Sequence, residues 1–375
     1  MPTMTELAEI TPLLRRPGPW TVAYVDGPGS EPQVIEEKKQ DAVRRRLEDS
    51  GAPDADVEAI ASALRSGTGL PAPSARYLLA ADGEVVLDAA LDGPRHGSEI
   101  IAHTPVPPLL PLLAHQDAGV EYLVVETGRE GARLRWERAG RPSGEPLDVE
   151  GRTDALPKVQ AGGWSHAKHQ RTSEEIWKLN QREVAEAVDQ AVREDRPAFV
   201  PIAGDGRARQ LLLADLAEES RAIAVEVDVH TRAAGSDDGA LESAIDAELD
   251  RLEADEVTTA RNRAETDHGR RGAHGSSDVM KALQEAAVDT LILDERLWDE
   301  ERTLDALTDV PWVDDGDRLG VGSLGRVPAA DALARAALLT DARVLVELDE
   351  FDEPDDERES RGTREPLAAL RWPAV

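Results

Sequence analysis

The stretch from Pro157 to Pro197 constrains the fold of this chain more than any other. Residues Pro157 to Thr172 read PKVQAGGWSHAKHQRT, with Lys158, Lys168, Arg171, His166 and His169 but no carboxylate. In a chain of 375 residues with a formal net charge of -32, a segment this long without acid is a local reversal. Thr172 and Glu175 then have the spacing of a capping box, in which hydroxyl and carboxylate satisfy each other's exposed backbone donors at a helix start. Trp177, Val184, Val188 and Ala191 recur at helical period, so one apolar stripe follows, and Pro197 closes it. The sequence predicts a glycine-hinged cationic loop on the N-terminus of a long helix, where unpaired N–H groups and the helix dipole favour an anion. Such a loop suits phosphate, and RNA is the commonest bearer of phosphate.

Acidity at this level, with many Ala, Arg, Asp and Glu, reads as a background property of the chain. Its consequence is that RNA is repelled in general, so any nucleic-acid contact must be concentrated in local basic patches. The chain has no cysteine, which removes disulfides, thiolate metal sites and thiol nucleophiles. The N-terminal residues lack a basic segment followed by an apolar run, and no stretch is apolar enough to span a bilayer, so a cytoplasmic protein without membrane contact is expected.

In chain order the pattern predicts three α/β domains, at 1–102, 103–234 and 235–350, with a charged, mobile tail over 351–375. The first has a strand at Trp20 to Asp26, helices at Glu36 to Asp49 and Asp54 to Arg65, and a hairpin turning at Asp82-Gly83. Its basic cluster Lys38, Lys39, Arg44, Arg45 and Arg46 is interleaved with acids and reads as a solvated helix face. The proline-rich run His103 to Pro111 reads as a semi-rigid linker. The middle segment has a hairpin over Val120 to Arg138, then the cationic loop and long helix, then a β-α-β unit from Ala198 to Asp228. Gly204-Asp205-Gly206 is a glycine turn without the further glycines and lysine of a nucleotide loop. After a linker at Gly235 to Gly239, the third segment opens with a long acidic helix. A loop from His268 to Asp278 follows, rich in glycine and carrying Arg270 and Arg271. Helices at Val279 to Ala287 and Ala329 to Leu339, with strands at Asp289 to Asp294 and Arg343 to Leu348, make an α/β/α sandwich.

Ala161-Gly162-Gly163-Trp164-Ser165, followed by basic residues and a long helix in an α/β middle domain, resembles the central domain of the archaeal and eukaryotic peptide-chain release factor and Pelota superfamily. Release factors carry Gly-Gly-Gln at this position. The segments Gly272 to Leu283 and Ala330 to Leu348 resemble that superfamily's C-terminal domain, which shares its fold with kink-turn-binding ribosomal proteins. More narrowly, Gly-Gly-Trp-Ser, Gln170-Arg171, Trp177, Asn180 and Ala203 to Leu212 resemble the bacterial branch that includes the Balon-type ribosome hibernation factors. The resemblance covers about 100 to 350, and the first segment lacks the codon-reading Asn-Ile-Lys-Ser.

The resemblance implies a ribosome-binding factor contacting ribosomal RNA, acting as a monomer without cofactor, with elongation factor Tu as a companion. The implied contact residues are Lys158, Gly162, Gly163, Trp164, Ser165, His166, Lys168, His169, Gln170 and Arg171, with Arg270 and Arg271 in the C-terminal segment. Trp164 stands where release factors place the glutamine that orients a water. An indole fills that volume and offers only a donor, so ester hydrolysis is not expected. A peptidyl-tRNA hydrolase or rescue factor using Gln170 is the rival reading. Ser165, His166 and Asp154 include the residue types of a hydrolytic triad, but an adjacent Ser and His in one loop rarely reach each other. His166 and His169 supply half a metal site with no third ligand near in sequence. For the loop of Arg270 and Arg271, an RNA contact and a plain surface role both stand.

Overall fold

The computed structural model describes residues 7–28, 33–70, 72–115, 120–138, 141–151, 166–229, 239–266, 270–299, 301–316, 320–348 and 365–373. By contacts the chain divides into two compact units, one of residues 1–116 with 255–375 and one of residues 117–254. Both are mixed α/β.

The first part of unit 1 runs α1 (Leu7–Leu14), β1 (Trp20–Asp26), α2 (Gln33–Asp49), α3 (Asp54–Leu64), β2 (Ser74–Ala81), β3 (Glu84–Asp92), β4 (Ile100–Thr104) and α4 (Leu110–Ala114). Its four strands form an antiparallel sheet in the order β3-β2-β1-β4. Strand β1 is apolar on both faces because both are covered. Ala23 and Val25 pack with Val43, Leu47 and Ile60 of α2 and α3. Val22 and Tyr24 face a larger core that includes Ile10, Leu14 and Leu109. The β2–β3 hairpin turns where expected, with φ of 55° at Asp82 and 82° at Gly83, the pair of positive values that a tight hairpin turn requires.

Unit 2 holds β5 (Glu121–Gly128), β6 (Gly131–Arg138), β7 (Arg141–Pro142), β8 (Leu147–Glu150), α5 (His166–Asp195), β9 (Val200–Gly204), α6 (Gly206–Asp215), α7 (Glu218–Ala222) and β10 (Ala224–Glu226). The sheet order is β10-β9-β5-β6-β7, with β8 also on β6. Strands β10, β9 and β5 are parallel, while β5 and β6 form the antiparallel hairpin. Alternation along β5 divides the core: Leu123 and Val125 join Val184, Val188 and Val192 of α5. Tyr122 and Val124 join Phe199, Leu241 and Ile245. Leu241 and Ile245 belong to α8 (Gly239–Glu265), which carries the boundary between the units at 254 and 255.

Unit 1 resumes along α8 and continues through β11 (Gly272–His274), α9 (Gly275–Gln284), β12 (Val288–Asp294), a 3-10 turn at Glu295–Asp299, β13 (Thr303–Leu307), β14 (Val313–Asp314), β15 (Ser323–Pro328), α10 (Ala329–Leu339), β16 (Arg343–Glu347) and β17 (Leu367–Leu370). The sheet runs β11-β17-β12-β16, and β14-β13-β15 form a small second sheet. Helix α10 is buried along its whole length, and its leucines and alanines share one core with α1, β1 and α4.

Three expectations give way here. The run from Val106 to Leu113 is buried rather than an open linker. The hydroxyl of Tyr77 donates to the Pro108 carbonyl at 2.8 Å, and the Leu109 N–H donates to Asp331 at 2.8 Å. Proline fixes an extended backbone, but that backbone is equally suited to packing under a helix. The loop expected over His268 to Asp278 contains β11 and the start of α9. Within the tail expected over 351–375, Leu367–Leu370 is a buried strand paired with both β11 and β12. Residues 349–364 lie outside the described set.

Candidate nucleic-acid interface

Helix α5 is 30 residues long and starts at His166, six residues before Thr172. Thr172 and Glu175 therefore lie within the helix, and the expected capping box is not its start. The inner face is apolar from Val184 onward, with Val184, Ala185, Val188, Ala191 and Val192 all buried. Each fully buried valine contributes about 1.5–3 kcal/mol, so the second half of the helix is held firmly on the sheet.

One turn earlier the inner face becomes polar, and it grips the turn between β5 and β6. Gln181 is fully buried. Its side-chain carbonyl accepts from the Thr127 hydroxyl at 2.8 Å, and its amide donates to the Gly128 carbonyl at 2.8 Å. Asn180, also buried, donates to the Arg129 carbonyl at 3.0 Å. Such groups are stable inside only when partnered, so these bonds specify where the helix meets the hairpin. Gly151 lies against the Asn180 amide, with no room for a Cβ.

Arg129 ties a third turn into the same place. Its guanidinium stacks 4.9 Å from the centre of the Trp177 ring, and its Nε lies 3.5 Å from Asp205 Oδ2. Asp205 in turn caps α6, accepting from the N–H groups of Arg207 at 2.9 Å and Ala208 at 3.2 Å. Gly204 precedes it with φ of 119°, and a Cβ there would sit 1.9 Å from the Thr127 carbonyl oxygen. The Gly204-Asp205-Gly206 turn is thus a close-packed junction whose helix donors are already occupied by a carboxylate. Trp177 is half-buried beneath Arg129 rather than part of the apolar core.

Residues 121–270 match bacterial archaeo-eukaryotic release factor family 2. The match is confined to this middle stretch of the chain. The matched span contains the whole of the β5–β6 hairpin, α5 and the Gly204 turn. An uncharacterised protein of Mycobacterium tuberculosis, Rv2629, is 24% identical to this chain over 343 residues, 90% of this chain and 84% of its own. Pelota from Archaeoglobus fulgidus is 17% identical, with a TM-score of 0.39 and 80% of each chain covered. The archaeal translation termination factor aRF1 is 16% identical, with a TM-score of 0.26, covering 98% of this chain and 97% of its own.

Of the expected contact residues, Lys158, Gly162, Gly163, Trp164 and Ser165 lie outside the described residues, as does Asp154. His166, Lys168, His169, Gln170 and Arg171 occupy the first two turns of α5, while their side chains lie outside the description. Arg270 and Arg271 belong to unit 1, exposed on the turn that enters β11, where the Arg271 carbonyl accepts from the Leu370 N–H at 2.9 Å. Among the described residues there is no group of three or more His, Asp or Glu placed to hold a metal. None of their helices is long and apolar enough to cross a membrane. Sequence reasoning missed Arg129 and Gln181. The one available signal was a lone arginine in the Gly128 to Gly131 turn, whose role depends on a helix some fifty residues later.

Proposed function

We propose that this chain is a translation factor that binds the ribosome without releasing peptide, with the Gly162 to Arg171 segment, which runs into the first turns of α5, directed toward the peptidyl-transferase region. The observation that carries the reading is the Gly-Gly-Trp-Ser sequence immediately before a 30-residue helix, inside a segment that matches a release-factor family. The polar grip of Asn180, Gln181 and Arg129 supports it, because a loop that must reach a distant target needs its helix fixed at the base. Trp164 replaces the glutamine that orients water in release factors, so occupancy of the A site during ribosome hibernation is the finer assignment. Elongation factor Tu is the proposed companion and the acting form is a monomer.

Co-sedimentation with ribosomes, run beside a peptidyl-tRNA cleavage assay, tests the reading. Binding without peptide release is the expected result. Release above background that is lost in Trp164→Ala or Gln170→Ala would establish a peptidyl-tRNA hydrolase or rescue factor instead. Adding elongation factor Tu with GTP to the same sedimentation tests the companion, whose absence from the pellet would remove it.

A further inference from the structure

The outer face of α5 carries a charge pattern that the loop alone does not explain. Lys168, Arg171, Lys178 and Arg182 follow one another in steps of three, seven and four residues. At 3.6 residues per turn these positions fall within roughly 80° of arc, with Glu175 the one carboxylate between them in the same arc, leaving a net of three positive charges. The buried stripe of Val184, Val188 and Ala191 occupies the opposite side of the helix. Lys178 and Arg182 are exposed, and neither makes an ion pair among the described residues.

That is unusual for this surface. On the adjacent hairpin, Arg129 pairs with Asp205, Arg133 with Asp148, Arg135 with Glu126 and Glu137, and Arg138 with Glu121. Partners are at hand for the helix cations too, since Glu175 stands three residues before Lys178 and Glu186 four residues after Arg182. Neither pair forms. Beyond Arg182 the same face turns acidic, with Glu186 and Asp189, so the stripe has a definite end.

We infer that this stripe is a second RNA-contacting surface, lying along a phosphate backbone and extending the loop's contact down the helix. The inference rests on the ribosome-binding reading and adds a partner surface to it. From Lys168 to Arg182 the helix rises about 21 Å at 1.5 Å per residue, which spans about six phosphates of one strand at 3.4 Å each. A polyanion is the occupant that fits: the stripe adjoins the acid-free segment in a chain of charge -32, and Lys178 and Arg182 have no ion-pair partner among the described residues. The repulsion of the remaining surface makes such a contact specific to this face.

The test uses the full chain with Lys178→Gln/Arg182→Gln, compared with the unaltered protein and with Lys38→Gln/Lys39→Gln, which changes net charge equally on another unit. Binding to ribosomes and to protein-free ribosomal RNA is measured across a salt series, with circular dichroism to confirm that the helix is intact. Loss of two phosphate contacts flattens the slope of log affinity against log salt by about 1.4–1.8 in the helix variant alone, at roughly 0.7–0.9 per contact. Equal behaviour of the two double variants overturns the inference while leaving ribosome binding in place. Weakened binding to ribosomes with unchanged binding to free RNA assigns the stripe to an acidic protein surface and overturns it as well. If the unaltered chain fails to bind ribosomes at all, the functional reading falls and takes the stripe with it.

Discussion

The backbone N–H of Leu109 donates to the carboxylate of Asp331 across 2.8 Å, between residues 222 positions apart in the chain. Burial pushes the Asp331 carboxyl up to about 6, while the N–H bonds from Leu109 and Leu110 pull it down. Its folded value lies above the unfolded one of about 3.9. The native state therefore holds a proton through the interval in which the unfolded chain has lost it, and stability falls as pH rises from about 4 to about 6. Asp331→Asn keeps an acceptor oxygen and cannot ionise. In urea unfolding, the variant should gain on the parent by on the order of 2–3 kcal/mol between these limits. A difference that stays constant with pH would show that Asp331 does not titrate in this window.

Arg335 is the other buried charge of α10. It donates to the Leu14 carbonyl at 2.9 Å and to the Leu307 carbonyl at 3.0 Å, and lies 5.7 Å from the Trp312 ring centre. Arg335→Met approximates the volume and leaves those buried carbonyls without donors, at roughly 1–3 kcal/mol each. We expect a loss of about 2–5 kcal/mol in denaturant unfolding, with faster hydrogen exchange in α1. Unchanged exchange at Leu14 and its neighbours would mean that the guanidinium does not anchor that helix.

Gly204→Ala places a methyl where the Thr127 carbonyl already lies, at a φ of 119°. The strained backbone alone costs about 1–3 kcal/mol, before the contact is relieved. Thermal melting of the variant should show unit 2 destabilised. A control at Gly51→Ala, where φ is also positive but nothing lies within 4 Å of the added carbon, should suffer much less. Equal losses would assign the effect to backbone conformation alone.

The acid-free segment that runs into α5 is tested by neutralising Lys158, Lys168 and Arg171 to Gln together. Removing two or three phosphate contacts should lower ribosome affinity and flatten the salt slope by roughly 1.5–3. The matched control at Lys38, Arg44 and Arg45 should change little, since Arg44 is bonded to Glu58 and Arg45 to the Asp41 carbonyl on their own surface. Like behaviour of the two triples would detach this segment from RNA.

Where a segment had one dominant period and clear punctuation, the sequence was a good guide. Trp20 to Asp26 and Ala329 to Leu339 match their observed elements end to end, and the Asp82-Gly83 turn lies where its φ requirements put it. What could not be read was burial decided by remote partners. HTPVPPLLP has the composition of a linker, and only the approach of Tyr77 and Asp331 makes it core. LAAL near the C-terminus is too short to carry a period, and its place between β11 and β12 depends on both of them. In the candidate interface, the inner stripe of α5 was legible from Val184 onward. The grip by Asn180 and Gln181 was not, because amides on a helix face declare no partner until the hairpin carbonyls are beside them.

Unit 1 has an order of assembly imposed on it. Leu14 finds its Arg335 donor 321 residues later, and β17 sits between strands made long before it. On a chain emerging N-terminus first, residues 1–116 must wait, with the α10 side of their core uncovered, until nearly the whole polypeptide has been synthesised. Residues 117–254 form a continuous unit and can close before that. A nascent chain halted after about residue 260 should therefore protect the β5–β6 hairpin and α5 from protease while leaving α1 and the 104–113 run open to cleavage. The long-range bonds of α10 set the time at which the first-made part of the protein becomes native.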